Sequence, residues 1–563
     1  MKFSNNEEHS LKKAVVRPTA LPLLVVLWAL LGLFVLYPLG RLIYVVFVTD
    51  GTLDLSSITK VFTNWYSRKA LFDSLVLATS VAAIGTSVGF VFAFGTTRMT
   101  LPKVIKWFIR AVIVLPFVSP PFTSSIALTL VMGPNGLLLR FLGVPDFNIY
   151  GFLGTCLAEV LTYFPIAFMT LSAVLDGIDP NLEDAAMSMG STRWNTFKTV
   201  TLPLSLPGVG NAFLLLFGCS LADFATPLVM AGHTFPVLTT QAYLQITGMY
   251  DLKGGAAISF VLLVPALMVY LLQHYWLERR SYVTITGKSG ARSSLEGANA
   301  IAEVFILGFI SVVSLFIIFL YSIIFVGSLI KVWGVDNSLT LENYVYVFTV
   351  GREAIKDTVL IALVSTVLGT ILGVTIGYLV SQKGLAFRKT LEFTSFLNYV
   401  LPGTVVGIAY VIAFNSRPLV LTGTMTVIVA LCAFRYDVPA IRATVASLHQ
   451  IDPSIEEASL SLGASRLATF LKVTLPLIIP AVTSGMRYLF VVSMTAVSAV
   501  IFLVSIQWSL LTVRILECIT ELLFAQAAAF SVVLLLIVFA ALGLIDLLFK
   551  IAYPSYLRQL RRS

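Results

Sequence analysis

Three residues of this chain stand where a charge is expensive. Glu159, Asp223 and Arg435 each lie several residues inside an otherwise apolar run. A charge at such depth costs several kcal/mol unless it is paired or wetted, so it marks either a solute path or a structural ion pair. We expect Glu159 and Asp223 to line a path, with an acid and Arg435 pairing between the two halves of the chain. Enzyme chemistry finds less to use. The four histidines (His9, His233, His274, His449) are dispersed, with no metal-ligand spacing and no HExxH. No metal site is expected, and no persuasive Ser-His-Asp arrangement is present. The four cysteines (Cys156, Cys219, Cys432, Cys518) are scattered in or beside apolar segments and read as small hydrophobes. "GKS" at 287–289 lacks a phosphate-binding pattern, because Tyr282 stands where its first glycine is required. This chain is not expected to bind nucleotide itself.

The elements that must hold these residues follow from composition. Of 563 residues, 58% are hydrophobic and 12% charged, with a net charge of +9. Mean hydropathy is +0.94. A soluble chain would carry about 25% charge. The uncharged stretches 21–40, 304–330 and 358–382 reach the roughly 20 residues that cross a bilayer as helix. Unpaired backbone groups are too costly in lipid for anything but helices or closed barrels. The alternation of a barrel is absent, so the expected fold is an all-α integral membrane protein. Lys12, Lys13 and Arg17 precede a run too long for a signal peptide, which reads as a retained first span. About twelve spans are expected, starting near residues 21, 74, 111, 151, 205 and 256, then 304, 358, 393, 418, 480 and 522. Basic residues gather in one set of loops: Arg98, Lys103, Lys106 and Arg110; Arg279, Arg280, Lys288 and Arg292; Lys383, Arg388 and Lys389; and the tail residues Arg558, Arg561 and Arg562. That bias puts both termini in the cytoplasm.

The chain repeats itself. "FDSLVLATSVAAIGTSVG" at 72–89 matches "KDTVLIALVSTVLGTILG" at 356–373, with Gly85/Gly369 and Gly89/Gly373 in register. "LPFVSPP" from Leu115 faces "LPGTVVG" from Leu401. Six spans per half is an even number, so the halves 1–290 and 291–563 should point the same way about a pseudo-two-fold along the membrane normal. The polar hinge 278–297 joins them. Aligned across the repeat, Glu159 and Asp223 fall opposite Ala433 and Ala496, so a path between the halves should be asymmetric.

The most polar repeat is "DAAMSMGSTRWNTFKTVTLP" at 184–203 against "EASLSLGASRLATFLKVTLP" at 457–476, within loops 176–207 and 449–480. Both are preceded by Ile-Asp-Pro. Asp179 and Asp452 suit an N-cap, and the prolines suit the first helical position. Glu183, Asp184, Glu456 and Glu457 then complement the helix dipole. Ala185, Ala186, Ala458 and Ser459 form a small-residue face, and Gly190 or Gly463 sits where a left-handed C-cap belongs. Two such helices related by a two-fold imply a partner that is itself a two-fold dimer.

These loops resemble the EAA signature, E-A-A-x-x-x-G followed by Leu-Pro, of inner-membrane permeases in binding-protein-dependent ABC importers. Asp184 replaces the Glu of the first copy and Ser459 the second Ala of the other, both keeping charge or size. The resemblance implies that the loops dock into grooves of a separate, homodimeric ATPase, which binds the ATP and Mg. It also implies an extracytoplasmic solute-binding protein and a bacterial inner-membrane location. "LADFATPLVMAGHTFPVLTTQAYLQI" from Leu221, "RRSYVTITGK" from Arg279, "PGTVVGIAYVIAFNSRPLVLTGT" from Pro402 and "TAVSAVIFLVS" from Thr495 are similar to fused iron(III)-type permeases. The implied solute is ferric iron, with 2-aminoethylphosphonate or sugar phosphate as alternatives in the same class. No ring of carboxylates or tyrosines dense enough to hold a bare ion tightly is evident in the spans. A twelve-span secondary transporter is the competing class, but its G-x-x-x-D-[RK]-x-G-[RK] loop is replaced here by "TTRMTLPKVIK" from Thr96.

Overall fold

The computed structural model describes residues 21–133, 136, 143, 147–232, 234–273, 300–382 and 387–552. The N-terminal basic residues, His9, His233, His274, the hinge 278–297, Lys383 and the tail arginines lie outside them. Among the described residues, eight helices are long and apolar enough to cross a membrane, or up to eleven if three bent helix pairs each count as a span. The run expected from about 418 forms two helices, Met425–Arg435 and Val438–Leu448, interrupted at Tyr436 and Asp437. Its first-half equivalent, Phe152–Asp176, is continuous.

The spans expected from about 111 and 393 are not straight crossings. Lys103–Val118 turns by 100° into Thr123–Met132, and Arg388–Val400 turns by 103° into Gly403–Phe414. Proline supplies the reason: it lacks an N–H and drives the residue before it out of the helical region. Ser119 before Pro120 has ψ 154°, and Leu401 before Pro402 has ψ 146°. The sequence match had set Pro116 opposite Pro402. Pro116 stays within its helix, and the break falls one turn later, at Pro120. The third bend, of 76°, separates Arg466–Leu477 from Ile479–Thr495.

Both halves otherwise run through the same order. A first span, Pro22–Phe47 or Ala300–Ser328, leads to a small hairpin, Val48–Thr49 with Thr52–Leu53 or Ile330–Val332 with Asp336–Leu339. Short helices Ser56–Thr63 and Glu342–Thr349 precede the long spans Trp65–Arg98 and Arg352–Ser381. Each half's first span packs on the other half. Around a π-helical segment, Gly32–Leu36, the Phe34 carbonyl accepts from Asn398 Nδ2 at 3.2 Å and Tyr410 Oη at 2.5 Å. In return, Tyr321 Oη shares a 2.5 Å hydrogen bond with Ser119 Oγ, and Trp333 Nε1 donates to the Leu130 carbonyl at 3.0 Å.

Within each half the long span packs through glycines, because close backbone approach replaces the hydrophobic drive that lipid removes. A Cβ on Gly89 would lie 2.6 Å from Ala167 Cβ and 2.9 Å from the Phe168 backbone nitrogen. Overpacking of this kind costs about 1–3 kcal/mol. Gly89→Val should therefore lower the melting temperature of the detergent-solubilised protein, whereas Gly543→Val, with nothing within 4 Å of its added Cβ, should leave it near wild type; a scan of intrinsic fluorescence against temperature reads both.

Candidate functional site

The two polar loops fold as matched, capped helices, Pro180–Ser188 and Pro453–Ser461. Asp179 Oδ1 accepts from the Asn181 N–H at 3.0 Å, and Asp452 Oδ1 from the Ser454 N–H at 2.9 Å. The Ser454 N–H holds the Asp452 carboxyl below its ordinary pKa. Gly190 and Gly463 have φ of +86° and +87°, the left-handed cap expected there. The Ser191 N–H then reaches back to the Ala186 carbonyl, and the Ala464 N–H to Ser459, in a Schellman arrangement. Thr192 and Ser465 cap the next helical turns, which run on into the bilayer helices.

Not every residue of the signature faces outward. Glu183 is 4% exposed, Ala186 is also buried, and Thr201 Oγ1 donates to Glu183 Oε1 at 2.7 Å. Arg98, at the end of Trp65–Arg98, forms a buried ion pair with Glu183 at 3.3 Å and donates to the Leu175 carbonyl at 3.0 Å. The second copy repeats the hydroxyl contact, Thr474 to Glu456 at 2.6 Å. Gln382 stands at the position equivalent to Arg98, so that copy lacks the ion pair. Ser459 shares a hydrogen bond with Thr469 at 2.9 Å. Ala185, Glu457 and Ala458 are exposed and Asp184 is half-buried.

The outward surface holds residues that the sequence reading passed over. Met189 and Leu462 are 82% and 89% exposed, and Trp194 and Leu467 are 64% and 68% exposed. Leu182 and Ile455 form a third exposed pair at equivalent positions. Large apolar side chains kept in water at three matched positions mark an interaction surface. The signal was available: apolar residues at equal offsets in two polar repeats.

Glu159, Asp223 and Arg435 are all buried. Ser220 Oγ donates to Glu159 Oε2, and Asp223 Oδ1 accepts from the Ala225 and Thr226 N–H groups at 3.0 and 3.3 Å, where Arg193–Ala222 ends. Glu159 and Asp223 are electrostatic neighbours. Arg435 does not join them. Its Nη1 donates to the Asn398 carbonyl, and its guanidinium lies 5.7 Å from the Tyr436 ring centroid. The expected acid–Arg435 pair is therefore not formed, because the end of Arg388–Val400 offers a carbonyl first. Among the described residues no group of three His, Cys, Asp or Glu side chains could hold a metal ion.

Two like halves of membrane helices, each with a capped loop on one face, define a permease architecture. The chain belongs to the family described as "Binding-protein-dependent transport system inner membrane component", whose model matches residues 85–282 and again 369–558. It is 35% identical over 531 residues to the ferric transport system permease protein FbpB of Actinobacillus pleuropneumoniae, covering 92% of this chain and 76% of that one. It is also 35% identical to the putative ferric transport system permease protein FbpB 1 of Haemophilus influenzae, covering 84% of this chain and 76% of that protein. The molybdenum transport system permease protein ModB of Escherichia coli (strain K12) matches at 29% identity, with 38% of this chain against 94% of that protein. This chain is thus a fused, two-domain permease of a binding-protein-dependent ABC importer. It is a multi-pass membrane protein and a transport subunit, not an enzyme.

Two outcomes test the loop geometry. A β-branched residue at φ near +87° costs about 1–2 kcal/mol in backbone strain alone, and the space around Gly463 is open, with nothing within 4 Å of an added Cβ. Gly463→Val and Gly190→Val should each insert and bind the solute-binding protein, yet lose coupling of ATP hydrolysis to uptake in reconstituted vesicles. Full coupled uptake in both variants would show that the caps are dispensable. Arg98→Met strands a buried carboxylate, at a cost on the order of 3–5 kcal/mol. Thermal unfolding should show that loss, and the double variant Arg98→Met/Glu183→Gln should recover part of it; additive losses would mean the pair is uncoupled.

Proposed function

We propose that this permease passes ferric iron from an extracytoplasmic binding protein to the cytoplasm, driven by a separate homodimeric ATPase that binds ATP and Mg. The observation that carries the cargo is relationship over most of the chain: two relatives named as ferric transport permeases match it across both halves at 35% identity. The matched loops support the ATPase reading. Each half, 1–290 and 291–563, presents one short helix with exposed apolar residues, as a two-fold ATPase dimer with two grooves requires. Asp179, Asp184, Ala185, Gly190 and their counterparts Asp452, Glu457, Ala458 and Gly463 shape those helices, while Glu183, Ala186, Glu456 and Ser459 tie them to the membrane helices behind. When ATP closes the dimer, each helix moves its attached spans as a lever.

The ion pair of Arg98 with Glu183 puts the basic end of Trp65–Arg98 beside the first loop. The positive-inside rule supports a cytoplasmic placement of this face, and in our reading both termini lie on the same side. Glu159 and Asp223 belong to the path between the halves, and Arg435 to its wall. A phosphonate or sugar phosphate would meet two carboxyls there, which favours the cation.

Reconstitution with its ATPase and binding protein provides the test. ⁵⁵Fe uptake should require ATP and ferric-loaded binding protein together. Uptake by the purified chain alone on an ion gradient, or transport of a phosphonate instead of iron, would overturn the reading.

A further inference from the structure

Hydroxyl and carboxyl oxygens gather at membrane depth where the two halves meet. On the first-half side, Glu159 is 0% and Asp223 5% exposed, yet Glu159 Oε1 and Asp223 Oδ2 have no hydrogen-bond partner. Tyr163, one helical turn past Glu159, lies within electrostatic reach of both acids, and Cys219 adjoins all three. Cys219 also adjoins Tyr399 and Tyr488 of the second half, whose phenols adjoin each other. Cys219 therefore stands between the carboxyls of the first half and the phenols of the second. The sequence showed no such grouping because its members lie on four helices separated by up to some three hundred residues.

Two further observations indicate that something passes here. Tyr399 is 37% exposed, although its neighbours Cys219, Tyr488, Arg435 and Arg442 come from four other helices. Helices also break all around this region, at Leu401-Pro402, Tyr436-Asp437, Asp223 and Ala496. Irregular backbone at membrane depth is tolerated only where it is buried in protein or lines a wet cavity.

Two buried carboxyls with idle oxygens are stable together only as neutral acids or beside a cation, and Arg435 is already engaged by Asn398 and Tyr436. Carboxyl and phenol oxygens suit a hard cation. We propose that Glu159, Asp223, Tyr163, Tyr399 and Tyr488 form a transient station for the transported trivalent cation, passing it from the carboxyls of the first half to the phenols of the second. This rests on the ferric cargo proposed above. Conduction requires binding weak enough to release, so the station need hold the cation only briefly. Arg435 beside Tyr399 keeps the phenol side shallow by repulsion.

The full importer in proteoliposomes, with ATPase and ferric-loaded binding protein, tests the station through two readouts taken together: ⁵⁵Fe uptake and ATP hydrolysis. Glu159→Gln/Asp223→Asn should lower iron moved per ATP about tenfold, and Tyr399→Phe about threefold, with binding-protein-stimulated hydrolysis within about twofold of wild type. A parallel fall in hydrolysis and uptake would assign these residues a structural role and overturn the station, as would undiminished uptake in the variants. Cys219 is half-buried while the other three cysteines are buried, so it reports directly on occupancy. Ga³⁺ citrate should slow maleimide labelling of Cys219 in the wild-type protein and lose that effect in the double-acid variant. Equal protection in both would overturn the station. Failure of the wild-type importer to carry ⁵⁵Fe at all would instead strike the cargo reading, and is distinguished by that control alone.

Discussion

A peptide group in hydrocarbon has no water to bond, and this constraint governs where the chain can interrupt its helices. At the breaks after Asp223 and Ala496 the cost is met locally, and by the same device in both halves. The Asp223 carbonyl accepts from Thr239 Oγ1 and the Ala496 carbonyl from Thr512 Oγ1, both at 2.7 Å. The N–H of Leu238 then finds Ser74 Oγ, and that of Leu511 finds Thr358 Oγ1, at 2.9 and 2.8 Å. These caps satisfy backbone groups where the chain folds back inside the membrane. The seam between the halves, with its broken helices and accessible Tyr399, depends on them.

On this duplicated frame three buried charges are single. Glu159, Asp223 and Arg98 face Ala433, Ala496 and Gln382 across the repeat. The backbone caps are kept in both copies because both halves must break their helices. The loops share in the asymmetry: Glu183 is clamped by Arg98 and Thr201, Glu456 by Thr474 alone. The first loop is therefore bolted to a long membrane helix by charge, and the second by a hydroxyl.

Much of the loop geometry was legible in the sequence. Asp-Pro at the helix start and glycine at its end act over a few residues, so local pattern suffices to place both caps. The helical membrane class followed from hydropathy, and the repeat from glycines at equal spacing. Other features escaped. The proline that breaks the third span is Pro120, not Pro116, because a proline one turn earlier is tolerated within a helix supported by its neighbours. Arg435 pairs with a carbonyl rather than an acid, and Glu183 and Ala186 turn inward, because both outcomes depend on which distant helix end arrives beside them.

The sequence by itself determined what each segment is: spans, capped loops, two like halves. Only the tertiary structure decided which faces meet. The first span of each half crosses to the other, with Tyr37 Oη reaching the Ala413 carbonyl, 376 positions away, at 3.4 Å. In water an apolar stripe marks the face that a helix will bury. In lipid nearly every face is apolar, so hydropathy carries no such mark, and partner choice falls to small-residue packing and a few polar contacts that exist only once the helices are assembled.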